Sequence, residues 1–445
     1  MKKIVFFVLI FTTMNLVNAQ PTFLKSPPEW SKAANIYEVN IRQYTPEGTI
    51  DAFAKHISRL DNMGVDILWI MPVQPIGEKN RKGSLGSYYS IQNYTAVNPE
   101  FGSMKDFKKM VSAAHKAGMY VILDWVANHS AWDNPWITEH PDWYTKGKDG
   151  FIISPVADWA DVADLNFDNG DMRKAMIEAM RYWITEADID GFRCDVAYMV
   201  PFDFWSTAIT ELQKTKLNLF MLAEAEGPEF HENGFDMDYT WQVHHAMNDL
   251  TKEKITLAHL DSIIQTQRLA YPGDSYRMYF TSNHDENSWK GTEFERMGNG
   301  AEAMFVLAAT IPGMPLIYSG QEAGLNKRLR FFDKDTIGFG VENKYESFYK
   351  TLLELKHDNS ALWNGSYGGT FDVINTENEV YVYTRQQGKE KVLVVINCSS
   401  ESRAIALNND LLKGKYTNAF TGEKIKLKSK SSFSLDPFGY QIWEQ

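Results

Sequence analysis

A chain of 445 residues, 44% hydrophobic and 23% charged, has room for one large core plus a smaller domain, with the composition of a soluble globular protein. Its formal net charge of −12 excludes the basic footprint of a nucleic-acid binder and opposes binding to anionic membrane surfaces. Neutral or small partners are the expectation.

Residues 1–19 read as a Sec signal peptide. Lys2 and Lys3 precede an apolar run at 4–11, and Val17-Asn18-Ala19 has the small-residue cleavage pattern, so Gln20 opens the mature chain. The apolar run is too short to span a bilayer. No Cys follows the cleavage point, so no lipoprotein or membrane anchor is expected. The expected location is secreted or periplasmic. Cys194 and Cys398 are the only cysteines, and their separation predicts two free, buried thiols. Spacing for a cysteine zinc site is absent.

From about 35 to 355, apolar runs rich in β-branched residues alternate with amphipathic stretches. Strands are predicted at 36–41, 65–71, 120–125, 191–196, 219–223, 235–239, 276–281 and 315–318. Ile50, Phe53, Ile57 and Leu60 recur at helical spacing. Ser103 and Asp106 form a capping box opening a helix that stops at Gly118. Further helices are predicted at 171–183 and 344–357. Eight strands alternating with helices predict an α/β fold closed as a (β/α)8 TIM barrel. An open doubly wound sheet is the alternative, but its Gly-rich dinucleotide fingerprint is missing, and no organic cofactor is expected.

The connection after the third strand is too long for a βα loop and predicts a short inserted domain at 129–166. The barrel then occupies 20–128 and 167–360. Beyond 360, short strands at 380–384, 391–397, 403–407, 424–427 and 439–443 predict a C-terminal antiparallel β-sandwich at 361–445.

Polar residues at the C-terminal ends of barrel strands point into a site. Strand four carries Arg193 and Asp195 on one face, since side chains alternate along a strand. An Arg beside a carboxylate keeps it ionised, as a nucleophile requires. Strand five runs from an apolar segment into Glu224 and Glu226. A hydrophobic pocket raises a carboxyl pKa and suits a general acid, and spacing alone leaves both candidates open. Strand seven ends in Asn283-His284-Asp285. Strand three ends in Asp124-Trp125-Val126-Ala127-Asn128-His129. Each cluster alone also reads as a salt bridge, a helix cap or a core histidine. Together they match glycoside cleavage, in which a retaining enzyme sets two carboxylates about 5–5.5 Å apart.

At these residues the chain resembles the α-amylase family, glycoside hydrolase family 13. The four clusters resemble its four signature regions, in order. Gly64-Val65-Asp66-Ile67-Leu68-Trp69-Ile70-Met71-Pro72, Ala163-Asp164-Leu165-Asn166 and Gly320-Gln321-Glu322 are similar to three further segments. The resemblance implies that Asp195 is the nucleophile and Glu224, rather than Glu226, the acid/base. Asp285 would stabilise the transition state. Arg193, His129 and His284 would surround the sugar, Tyr89 would stack on it, and Asp124 would orient Arg193. Asn128 and Asp164 match family calcium ligands. The Lys-His that follows the nucleophile in many members is Tyr198-Met199 here, which puts the calcium site in question. Asn93 replaces the usual Asp after the stacking Tyr. The implied activity is retaining hydrolysis of α-1,4 bonds in starch-derived glucans or maltooligosaccharides, by a monomer. Alternatives are an α-glucosidase, neopullulanase-like or transglycosylase activity, or a non-catalytic glycan-binding relative.

Overall fold

The computed structural model describes residues 26–339 and 344–445. The signal-peptide reading of residues 1–19 lies outside them. Eight strands form a closed parallel barrel: Ile36–Val39, Ile67–Ile70, Tyr120–Trp125, Gly191–Cys194, Phe220–Ala223, Met237–Tyr239, Tyr276–Phe280 and Met314–Tyr318. Neighbours follow chain order, and the eighth strand closes on the first with Ile36 opposite Leu316.

Alternation along the strands separates two cores. Ile36, Ile67, Trp69, Ile122, Phe220, Leu222, Met237 and Met278 fill the barrel interior. Tyr37, Leu68, Ile70, Leu123, Phe192, Met221 and Ile317 belong to the larger core shared with the surrounding helices. At the foot of strand four a Cβ on Gly191 would lie 1.8 Å from the Phe220 carbonyl oxygen, so only glycine permits this strand approach.

Helix capping follows the sequence signals. The Ser103–Asp106 capping box opens the helix Met104–Lys116, and Gly118 follows at a φ of 83°. The Ile50 to Leu60 periodicity is split into two helices, Ile50–Ala54 and Ile57–Met63, because the chain turns at Lys55 and His56. The helix Gly170–Ala187 starts on an Asn169 cap and lies outside strand four.

The segment after strand three holds a two-stranded ribbon, His129–Ala131 with Val162–Asp164, which pairs His129 with Asp164. The C-terminal region carries a six-stranded antiparallel sheet and a separate ribbon, Arg403–Asn408 with Lys430–Leu435. Val382, Val395, Tyr416 and Trp443 of the sheet share one core with Ile405 and Phe433 of the ribbon. Strands Thr370–Asn375, Gly414–Asn418 and Lys430–Leu435 were not anticipated, since their polar, half-exposed patterns carry little apolar signal. Both cysteines are free and buried.

Candidate active site

The inward positions that hold apolar side chains deep in the barrel become polar at its C-terminal end. Following the alternation upward places Glu38, Asp124, Arg193 and Glu224 on the same rows as Ile36, Ile122, Gly191 and Leu222. Asp195 continues the Arg193 row one step higher.

Arg193, fully buried, is the hub. Its Nη1 donates to Asp124 Oδ1 at 2.9 Å and to Asp195 Oδ1 at 3.0 Å. Its Nε donates to the Tyr239 hydroxyl at 3.1 Å. Its Nη2 lies 3.0 Å from Glu224 Oε2, close enough for an ion pair but not aligned as a hydrogen bond. The guanidinium sits over the Trp69 ring, 5.0 Å from its centroid. Three carboxylates around one planar cation satisfy the rule that buried charge is paired.

Burial raises the Glu224 carboxyl, and Arg193 opposes that shift. Burial also raises Asp195 well above the usual carboxylate range, the Glu224 charge adds to it, and Arg193 pulls the other way. The pair therefore retains a proton where isolated carboxylates have lost theirs. Glu226 is tied elsewhere. Its Oε1 accepts from Gln267 at 2.5 Å and Arg277 at 3.2 Å, and its Oε2 accepts from the Gln242 N–H at 3.1 Å.

His284 lies on the opposite wall. Its Nδ1 contacts Glu38 Oε1 at 2.5 Å, its Nε2 contacts the Tyr89 hydroxyl at 2.8 Å, and Asp285 Oδ2 lies 3.4 Å from Nε2. Burial alone favours the neutral ring, but Asp285 and Glu38 outweigh it and push the pKa up to about 9. Tyr89 donates to Asp124 Oδ2 at 3.1 Å, and Trp69 Nε1 donates to the same oxygen at 3.1 Å. Asp285 is the open member of the set, with 38% of its side chain exposed.

His129 is buried and bonded on both sides, to the Asn128 amide at 3.2 Å and to the Tyr89 backbone. Burial pushes its pKa down to about 4. Asn93 is exposed and accepts from the Thr95 N–H at 3.0 Å. Sequence reasoning missed Glu38, Trp69 and Tyr239 as partners in the site. The signal for Glu38 is a carboxylate at an inward position of an otherwise apolar strand.

A cleft of about 570 Å³ opens beside Glu224, lined by Tyr198, Phe202, Glu226, Phe230 and Trp241. On the other flank Tyr89 is stacked at 6.3 Å on Phe331, which packs against the half-exposed Trp289. Aromatic faces thus border the carboxylates on both sides.

Asn128 and Asp164 offer one amide and one carboxylate. Calcium takes six to eight oxygen ligands. Among the described residues no group of three or more His, Cys, Asp or Glu side chains converges as a metal site. These two side chains supply two of the oxygens a calcium ion takes.

The family model described as alpha amylase, catalytic domain, matches residues 23–160 and 143–360. The chain belongs to the α-amylase family. A second model, the alpha-amylase C-terminal domain, matches residues 369–436 of this α-amylase family member. The chain is 29% identical to the alpha-amylase MalA of Haloarcula japonica over 88% of its own length, but spans only 60% of that relative. It is 24% identical to a cyclomaltodextrinase of Thermoanaerobacter pseudethanolicus, covering 92% of this chain and 78% of that one. Among solved structures, a maltogenic alpha-amylase from Thermotoga neapolitana superposes with a TM-score of 0.85 at 29% identity, covering 93% of this chain and 99% of that one. An alpha-amylase from Lactobacillus plantarum gives 0.83 at 29% identity, with 94% and 99% covered.

Proposed function

We propose that this family member cleaves α-1,4-glucosidic bonds in starch-derived glucans or maltooligosaccharides by double displacement with retention. The observation that carries the reading is the Arg193 bridge, with Asp195 on one guanidinium nitrogen and Glu224 on the other, each at 3.0 Å. One guanidinium spanning both carboxylates supports the close spacing of retaining enzymes, about 5–5.5 Å, over the roughly 6.5–9.5 Å of inverting ones.

The roles are those the family resemblance implies. Asp195, which receives an aligned bond from Arg193, is the nucleophile; Glu224, raised by burial, is the acid/base. Glu224 protonates the glycosidic oxygen while Asp195 attacks the anomeric carbon, and the leaving sugar departs. Water, deprotonated by Glu224, then releases the sugar from Asp195 as the α anomer. Asp285, the exposed carboxylate, faces the developing oxocarbenium charge. Tyr89 offers its ring to the sugar, and Asp124 orients Arg193. The N-terminal sequence supports export, which N-terminal sequencing of the mature protein tests.

NMR of the first product from maltoheptaose tests the mechanism: α product is expected, and initial β product rejects retention. The aromatic cleft beside Glu224 favours a second reading, transglycosylation, because it can hold a sugar acceptor in place of water. Products longer than maltoheptaose would identify it.

A further inference from the structure

Val196 directly follows Asp195 and has φ 35° and ψ 46°. Among the described residues it is the one β-branched residue at positive φ. Such a side chain crowds the backbone there, so the conformation is costly and persists only where the surroundings impose it. Val196 is 8% exposed, held by the packing around it.

The hydrogen bonds show what the turn achieves. Below it the ladder is regular: Asp195 N–H donates to the Trp125 carbonyl at 2.9 Å, and Glu224 N–H to the Cys194 carbonyl at 3.0 Å. A strand continuing past Asp195 would offer its next N–H to the backbone of strand five. The left-handed turn ends strand four here, and the Val196 N–H donates instead to Glu224 Oε2 at 2.6 Å. Arg193 Nη2 approaches the same oxygen at 3.0 Å.

We propose that Val196 is a positioning residue whose backbone N–H holds Oε2 of Glu224, so that Oε1 is the oxygen that gives and takes the catalytic proton. This rests on the acid/base role of Glu224 proposed above. In the first step the proton passes from Oε1 to the glycosidic oxygen as that oxygen's bond to the anomeric carbon breaks, the electron pair staying with oxygen. The charge left on Glu224 is shared between the Val196 N–H and Arg193. In the second step Oε1 accepts a proton from the attacking water. The backbone donor is needed most when Glu224 is ionised, since hydrogen bonds to a charged acceptor are the stronger ones. The strain at Val196 therefore serves the site.

The test replaces the amide linking Asp195 and Val196 by an ester, using α-hydroxyvaline in the full-length protein. Loss of one donor to a carboxylate is expected to move the alkaline limb of the kcat/KM profile on maltoheptaose upward by about one pH unit. An aryl maltoside with an acidic phenol leaving group needs little protonation, so its rate should fall far less than that on maltoheptaose. Val196→Gly keeps the N–H and accepts the left-handed backbone. Its alkaline limb should stay in place. A limb unmoved in the ester variant, or moved equally in Val196→Gly, would overturn the proposal. Should the ester variant fail to fold, ¹⁵N-valine labelling of the native protein decides. The Val196 amide resonance should titrate at the midpoint of the alkaline limb and cease to do so in Glu224→Gln. A resonance indifferent to that substitution rejects the contact. A wild-type protein inactive on maltoheptaose and on the aryl maltoside would instead sink the functional reading beneath it.

Discussion

The Glu38 carboxylate, fully buried at the end of the first barrel strand, lies 2.5 Å from Nδ1 of His284 at the end of the seventh. With both ring nitrogens protonated, donation runs one way: His284 to Tyr89, Tyr89 to Asp124, with Arg193 donating to Asp124 from the far side. Asp285 and Glu38 are thus the counter-charges of His284, with Glu38 the buried one that anchors this chain.

Replacing Glu38 with Gln should therefore lower the His284 pKa from about 9 toward the ordinary 6.5. A folded-state pKa raised above the unfolded value contributes stability that is complete below about 6.5 and fades as pH rises through about 9. Melting temperatures of the wild type should fall across that window, and those of Glu38→Gln should be flatter. An NMR titration of His284 checks the cause directly.

His129 has the opposite sign. Its pKa, lowered to about 4, keeps the ring neutral in the fold while the unfolded chain takes up the proton. Stability should drop as pH falls from about 6.5 toward about 4. His129→Gln should remove that part of the acid-side loss, as read from urea unfolding midpoints at several pH values.

Glu224→Gln should lower kcat on maltooligosaccharides by about 10²–10⁴-fold, the usual contribution of general acid–base catalysis. Glu226→Gln should cost far less, since Glu226 is bound to Arg277, Gln267 and Gln242 rather than to Arg193. Equal losses in the two variants would contradict this division.

Arg193→Met leaves Asp124, Asp195 and Glu224 without their shared cation. Breaking a buried ion pair costs about 3–5 kcal/mol, so the variant should unfold at markedly lower denaturant. Its remaining activity should be lost together with stability, because the same guanidinium serves both.

Chelation should leave the initial rate and Tm unchanged, because Asn128 and Asp164 supply only two of the oxygens a calcium ion takes. A Tm drop in EDTA that calcium restores would show that ligands from elsewhere complete the set.

The sequence anticipated all eight barrel strands, because each is a short, largely apolar run, most of them closed by a polar residue at the C-terminal end. Arg193 and Asp195 were legible as a pair from strand alternation alone. Glu38 was not, since a single carboxylate on one strand gains meaning only when closure brings strand seven around to it. The turn at Val196 was hidden too, because a valine after a strand reads as more strand. In the C-terminal region, strands with exposed faces such as Gly414–Asn418 left little pattern to read.

The polar crown is drawn from strands one, three, four, five and seven, with the first and last strands joined only at ring closure. No stretch of chain shorter than the first seven strands carries the whole set. During refolding, activity should therefore return late and all at once, and catalytic turnover becomes a clock for the moment the last seam of the barrel seals.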